Sequence, residues 1–164
     1  MRPGLLTLAL GVTTLAACGP DAPSLELNFP SLETFLYSSF ARVDVFDVSP
    51  NELGMCPSLI RESLRGSTSR PPVYETGDVS VCDFRDGGVV MTGAGSGPKA
   101  FVAVVSDASN HALLTGCAVT EVYEGSPSIT IRLFMTDRYH EIVDALGPLE
   151  CGSIDDKCER GCGG

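Results

Sequence analysis

The stretch Ser128-Ile129-Thr130-Ile131-Arg132-Leu133-Phe134-Met135 sets Ile129, Ile131, Leu133 and Met135 at every second position, with Thr130 and Arg132 between them. Successive side chains of a strand point to opposite faces. This spacing therefore predicts a strand with those four apolar residues turned inward and its other face wet. Glu124-Gly125-Ser126-Pro127 before it has turn composition. Residues 113–123, with Cys117 among them, read as a strand running back from a second turn, Ser106-Asp107-Ala108-Ser109-Asn110. Phe101-Val102-Ala103-Val104-Val105 supplies the strand before that turn. Short strands joined by frequent turns indicate a β-sandwich or barrel.

The succession from Lys99 to Met135, ending in Ile-Thr-Ile-x-Leu, resembles the prealbumin-like β-sandwich modules of secreted bacterial proteins. That resemblance implies a fold and carries no activity. The expected class is mainly β: an antiparallel sandwich, prealbumin-like or Ig-like, with one or two short helices and a disulfide-rich C-terminal tail.

Upstream, Leu25-Glu26-Leu27-Asn28-Phe29 alternates as a strand does and is stopped by Pro30. Residues 40–48 put Ala41, Val43 and Val45 on one side, with Arg42 and Asp44 on the other, before Ser49-Pro50-Asn51 turns the chain. Residues 56–66 are punctuated as a short helix: Pro57 near the start, Leu64 four residues after Ile60, and Gly66 just past the end. The loop from Gly66 to Pro72 follows, beside Arg65 and with Arg70 in it, two cations that read as solvated surface. Val79-Ser80-Val81-Cys82-Asp83-Phe84 and Val89-Val90-Met91 flank Asp86-Gly87-Gly88, a hairpin signal. Thr92-Gly93-Ala94-Gly95-Ser96-Gly97-Pro98-Lys99 is glycine-rich without being a phosphate loop. Pro98 separates Gly97 from Lys99, and a strand follows where a phosphate loop needs a helix.

Seven cysteines leave six once Cys18 is set aside: Cys56, Cys82, Cys117, Cys151, Cys158 and Cys162. An even number in an exported chain predicts three disulfides, in any of fifteen connectivities. The expectation taken here pairs Cys56 with Cys82 and leaves Cys117 to join the tail cluster. Cys151-x6-Cys158-x3-Cys162 has no nearby histidine and no CxxC pair, so it is read as disulfides and not as a metal site, and no cofactor is expected. Asp155, Asp156 and Glu159 are the candidate oxygen ligands of an alternative, a calcium-stabilised adhesin, but their spacing is not that of an EF-hand. A further alternative is an envelope hydrolase or metal-dependent enzyme using His140 and Asp144, which share a face if residues 137–148 form a helix capped by Asp137 and stopped at Gly147-Pro148. The same residues also fit a loop. No serine or cysteine is tied to His140 by a motif, and His111 falls near a turn.

The N-terminus fixes the expected compartment. Arg2 is followed by an apolar run over residues 5–15, interrupted only by threonines among its polar residues, and by Leu15-Ala16-Ala17-Cys18. At roughly 11 residues the run is short of the ~20 that a span requires. Leu15-Ala16-Ala17-Cys18 resembles the lipobox of bacterial lipoproteins. The resemblance implies diacylglyceryl attachment to the Cys18 sulfur, cleavage between Ala17 and Cys18, and two or three acyl chains as a stable anchor without a span. Gly19, where an aspartate would favour inner-membrane retention, leans towards the outer membrane. The organisation expected is a signal peptide over 1–17, a lipidated tether over 18–24, a β-sandwich domain over 25–150 and a Cys-rich tail over 151–164. With 21 acidic against 11 basic residues and a formal net charge of -10, nucleic acid is excluded as a natural partner. Adhesion of the protein surface to anionic lipid is likewise disfavoured, leaving the acyl chains as the membrane contact. The expected function is a lipid-anchored envelope protein with a non-catalytic binding or structural domain, its partner an unspecified envelope protein or small ligand.

Overall fold

The computed structural model describes residues 22–52, 54–85 and 88–161. The signal segment, the cleavage pair Ala17 and Cys18, the Asp86-Gly87 turn and Cys162 lie outside the described residues. Among the described residues eight strands form one connected sheet: β1 Ser24–Asn28, β2 Phe40–Asp47, β3 Tyr74–Glu75, β4 Val79–Ser80, β5 Val89–Val90, β6 Gly97–Ser106, β7 Ala112–Val122 and β8 Ile129–Met135. Their order is β3-β2-β6-β7-β8-β1-β5, with β4 also paired to β2. The fold is mainly β, as expected, but the sheet is mixed and curled into a half-barrel around one core. β1 runs parallel to β8, joining Leu25 to Ile129 and Asn28 to Arg132, where an all-antiparallel arrangement was expected.

Four α-helices decorate the described sheet, more than the one or two expected: α1 Leu32–Tyr37, α2 Cys56–Leu64, α3 Tyr139–Leu146 and α4 Ile154–Arg160. α1 starts on a capping box in which the Thr34 amide donates to Ser31 Oγ and the Ser31 amide to Thr34 Oγ1. α3 has Arg138, not Asp137, at its N-cap and ends at Gly147. α4 is capped by Ser153, carries Asp155 and Asp156 in its first turn and Lys157 and Arg160 in its last, and closes on a left-handed Gly161, all favourable to the helix dipole. The tail thus has a helix and belongs to the body of the fold, since Ile154 and Cys158 pack against the core.

The inner face holds the main core, including Leu25, Val43, Val45, Phe101, Leu114, Ile131 and Leu133. α2 covers the outer face of β6 and β7, burying Phe46, Leu59, Ala100 and Val102 in a second cluster. It lies on the sheet and not at its edge, with Leu59 buried while Leu64 is exposed. Two further expectations are corrected. Met135 is exposed, three residues beyond Arg132, where the pairing of β8 with β1 ends. No hairpin joins β4 to β5: residues 81–85 form turns that bury Val81 and Phe84, and β4 pairs with β2 while β5 pairs with β1.

Two disulfides are Cys56–Cys117 and Cys82–Cys158, and Cys151 is also disulfide-bonded. The expected Cys56 to Cys82 pairing is therefore wrong. α2 lies over β7 and brings Cys56 to Cys117, whereas Cys82 sits on the turn that receives α4.

Candidate functional site

β7 pairs with β6 along its whole length, from Ala112 to Val122. With β8 it pairs only at Leu114 with Met135, Thr115 with Phe134 and Gly116 with Leu133. Continued in the same register, the pairing would join Cys117 with Arg132, Ala118 with Ile131, Val119 with Thr130 and Thr120 with Ile129. Those four pairs are not made. Residues 129–132 pair instead with β1 on their far side, and residues 117–122 with β6 on theirs. The sheet therefore forks beyond Gly116.

The fork borders an open cavity of about 340 Å³ between residues 118–121 of β7 and Ser128 with residues 129–130 of β8. Its wide end is closed by a turn in which the Tyr123 amide donates to Ser126 Oγ at 2.8 Å and the Ser126 amide to the Tyr123 carbonyl at 2.9 Å. Ser126 is buried by this role. The lining is mixed: Thr120, Glu121, Ser128 and Thr130 are polar, Val119, Tyr123 and Pro127 are apolar, and Ala118 and Ile129 lie towards the core. Thr130 Oγ1 also donates to Glu26 on β1 at 3.4 Å. Tyr123, 58% exposed, separates the fork from a neighbouring cavity of about 310 Å³ bordered by Ala22, Pro23, Met91, Ala94 and Val122. The described chain thus begins at the rim of the same end.

The residues singled out from the sequence fall elsewhere. His140 and Asp144 lie on α3 and are both exposed, while Tyr139, Ile142 and Val143 of that helix are buried. Among the described residues neither makes a hydrogen bond or ion pair, and the His140 ring instead meets Tyr139 edge-on at 5.3 Å. The acidic residues of α4 are divided among cations. Arg85 reaches Asp155 at 3.0 Å and Glu159 at 4.0 Å, and Arg160 reaches Asp156 at 3.2 Å. Among the described residues no group of three or more histidine, cysteine or acidic side chains is placed to hold a metal ion. Arg70 is bound by Glu52 at 2.7 Å and by the Asp47 carbonyl.

Three polar clusters went unread in the sequence. Asp107 is buried and accepts from the amides of Ser109 and His111 and contacts His111 Nδ1 at 3.0 Å, locking the β6–β7 turn. An aspartate opening a turn five residues long is a legible signal for such a lock. Lys99 is buried against Asp47, with the Ser96 carbonyl as a second acceptor. Asp44 is buried beside Arg42, 3.2 Å away, and beneath the end of α2. Burial holds its carboxyl above the ordinary range, with Glu75 adding to the rise and Arg42 and Ser63 opposing it. Nothing in the alternation of residues 40–48 distinguishes that outer-face carboxylate from a solvated one.

No family model matches this chain, and no curated protein or solved structure is significantly similar to it.

Proposed function

We propose that this chain is a lipid-anchored lipoprotein of the cell envelope whose half-barrel is a non-catalytic binding domain. The observation that carries the reading is the state of the cysteines. All five described ones are in disulfides, which persist in oxidising, extracytoplasmic compartments and are rare where thiols are kept reduced. Export joins naturally to Leu15-Ala16-Ala17-Cys18 as a lipobox and to acyl chains on Cys18 as the membrane contact. Among the described residues no helix is long and apolar enough to cross a membrane.

Ala22 borders the cavity next to the fork and follows Cys18 by four residues, a reach of about 14 Å when extended. An anchor at Cys18 holds the forked end of the half-barrel near the bilayer. Gly19 favours the outer membrane. A prealbumin-like or Ig-like kinship is proposed for the fold alone, supported by the β6-β7-β8 meander.

Intact-mass measurement of protein purified from its own membranes, beside a Cys18→Ser variant, tests the reading. The expected result is a chain beginning at Cys18 with added acyl mass, absent from the variant, and a gain of six hydrogens on reduction of its six remaining cysteines. An unacylated chain in the soluble fraction overturns it.

A further inference from the structure

We propose that the cavity at the end of α2 binds a free aliphatic α-amino acid, its carboxylate on Arg42 and its ammonium on Asp78. This rests on the binding-domain reading above and names the class of ligand. α2 ends at Leu64, and beyond it the outer face of β2 and β6 borders a cavity of about 350 Å³. The cross-strand partners Arg42 and Val104 line it, with Ser63 and Leu64 on the helix side. Arg42 is held from behind. Its Nε lies 3.2 Å from Oδ1 of Asp44, whose side chain is only 6% exposed. Arg42 Nε, Asp44 Oδ1 and Ser63 Oγ are all buried, and none has a hydrogen-bond partner among the described residues. Such a cluster opposes folding where apolar residues would not. What it provides is a fixed guanidinium. Among the described residues Asp44 is its one partner, so both Nη groups are left for an acceptor in the cavity.

Asp78 lines the same cavity and is exposed, yet it forms no ion pair with Arg42. The two charges stand too far apart to pair directly, and a zwitterion answers both. An anion alone meets Asp78 and a net charge of -10, and a cation alone meets Arg42. A neutral sugar answers neither charge, and no aromatic ring lines the cavity for it to stack on. Ser106 and Asn110 add neutral hydrogen-bonding groups, while Leu64, Val104 and Ala112 offer an apolar side to a short aliphatic chain. Part of the wall is built in advance. Asn110 belongs to the turn locked by Asp107, its own amide bonded to the Asp107 carbonyl at 3.1 Å, which limits the ordering cost of binding. β6 runs ten residues from Gly97, beside Ser96 of the Ala22 cavity, to Ser106 here, a length of about 30 Å. An anchor at Cys18 therefore leaves this site remote from the bilayer.

The test is calorimetric titration of the acylated protein in detergent, and of the soluble Cys18→Ser variant. The probes are L-leucine, 4-methylpentanoate, which lacks the ammonium, and isopentylamine, which lacks the carboxylate. L-Leucine is expected to bind with a Kd at or below about 1 mM, at least tenfold more tightly than either analogue. Asp78→Asn, at an exposed position, is expected to abolish the advantage of L-leucine over 4-methylpentanoate with the thermal midpoint unchanged. Arg42→Gln combined with Asp44→Asn, which leaves no buried carboxylate unpaired, is expected to abolish the advantage over isopentylamine. Asp78→Asn alone decides the matter if the double variant does not fold. Equal binding of L-leucine and either analogue, undiminished binding by Asp78→Asn, or no saturable binding of L-leucine by the folded protein overturns the proposal. Saturable binding of glucose in its place overturns it in favour of a sugar. Anchor and ligand fail separately: an unacylated protein that binds L-leucine loses only the anchor, and an acylated protein that does not bind it loses only the amino-acid site.

Discussion

Gly116 on β7 approaches Arg132 on β8 so closely that a Cβ at position 116 would stand 2.5 Å from the Arg132 carbonyl oxygen and 2.9 Å from Ile131 Cγ2. The obstruction is backbone, which cannot swing aside as a flexible side chain can. Glycine is therefore what lets the two strands meet at the narrow end of the fork. Gly116→Ala is expected to cost about 1–3 kcal/mol through overpacking. Urea unfolding should register the loss, with exchange rising first at residues 114–116 and 133–135. An unchanged midpoint would mean that the strands are not in this contact.

Cys56–Cys117 and Cys82–Cys158 should separate by what they hold. Their cysteines are 61 and 76 residues apart, and closing loops of that size stabilises by about 4 kcal/mol on a chain-entropy account. Cys56–Cys117 fixes α2 over Phe46 and Val102, so Cys56→Ser with Cys117→Ser should lower the thermal midpoint of the whole sheet. α4 has no fully buried residue, so Cys82→Ser with Cys158→Ser should release residues 154–160 while the sheet stays closed. Calorimetry and fragment-resolved hydrogen exchange distinguish the two results.

Legibility followed the covering of each strand. β8 alternates strictly through Leu133 because its outer face is bare, with Thr130, Arg132 and Phe134 exposed, and the sequence announced it plainly. β6 reads as a continuous apolar run because α2 covers its second face, burying Ala100 and Val102 there and Phe101 and Ala103 within. α1 leaves a weak sequence signal because Ser31 is answered by Thr34, where a capping box usually carries Glu or Gln. The fork left no local trace. Residues 117–120 and 129–132 are complementary in register, and where their pairing stops is a matter of long-range packing that periodicity does not encode.

Tyr139 carries a hydroxyl that is buried and has no hydrogen-bond partner among the described residues. Burial pushes its pKa up to about 12, with Glu33 and Tyr37 adding to the rise. Leaving such a group unsatisfied costs roughly 1–3 kcal/mol, whereas the ring itself packs in the core. Tyr139→Phe is thus expected to raise unfolding stability by about 1 kcal/mol, read as a higher urea midpoint at unchanged slope. A fall would reveal a partner for the hydroxyl, such as an ordered water.

Stability should depend on pH with two opposed signs. The Asp44 carboxyl is raised above its ordinary 3.8 by burial, so the folded state holds its proton longer than the unfolded state does. That site makes stability fall as pH rises from 3.8 through the folded-state value, since the unfolded chain then binds fewer protons. Glu52 is the reverse: hydrogen bonds from Arg70 and the Ser49 amide lower it to about 2. Its contribution is present above 4.5 and is lost as pH falls towards about 2. Asp44→Asn should therefore remove a decline on the rising limb. Arg42, its side chain 36% exposed, can then turn to water. Glu52→Gln should instead flatten the loss in acid. Urea midpoints from pH 2 to pH 7 for wild type and both variants check the signs. If Asp44→Asn runs parallel to wild type across the whole range, the desolvation assigned to Asp44 is wrong.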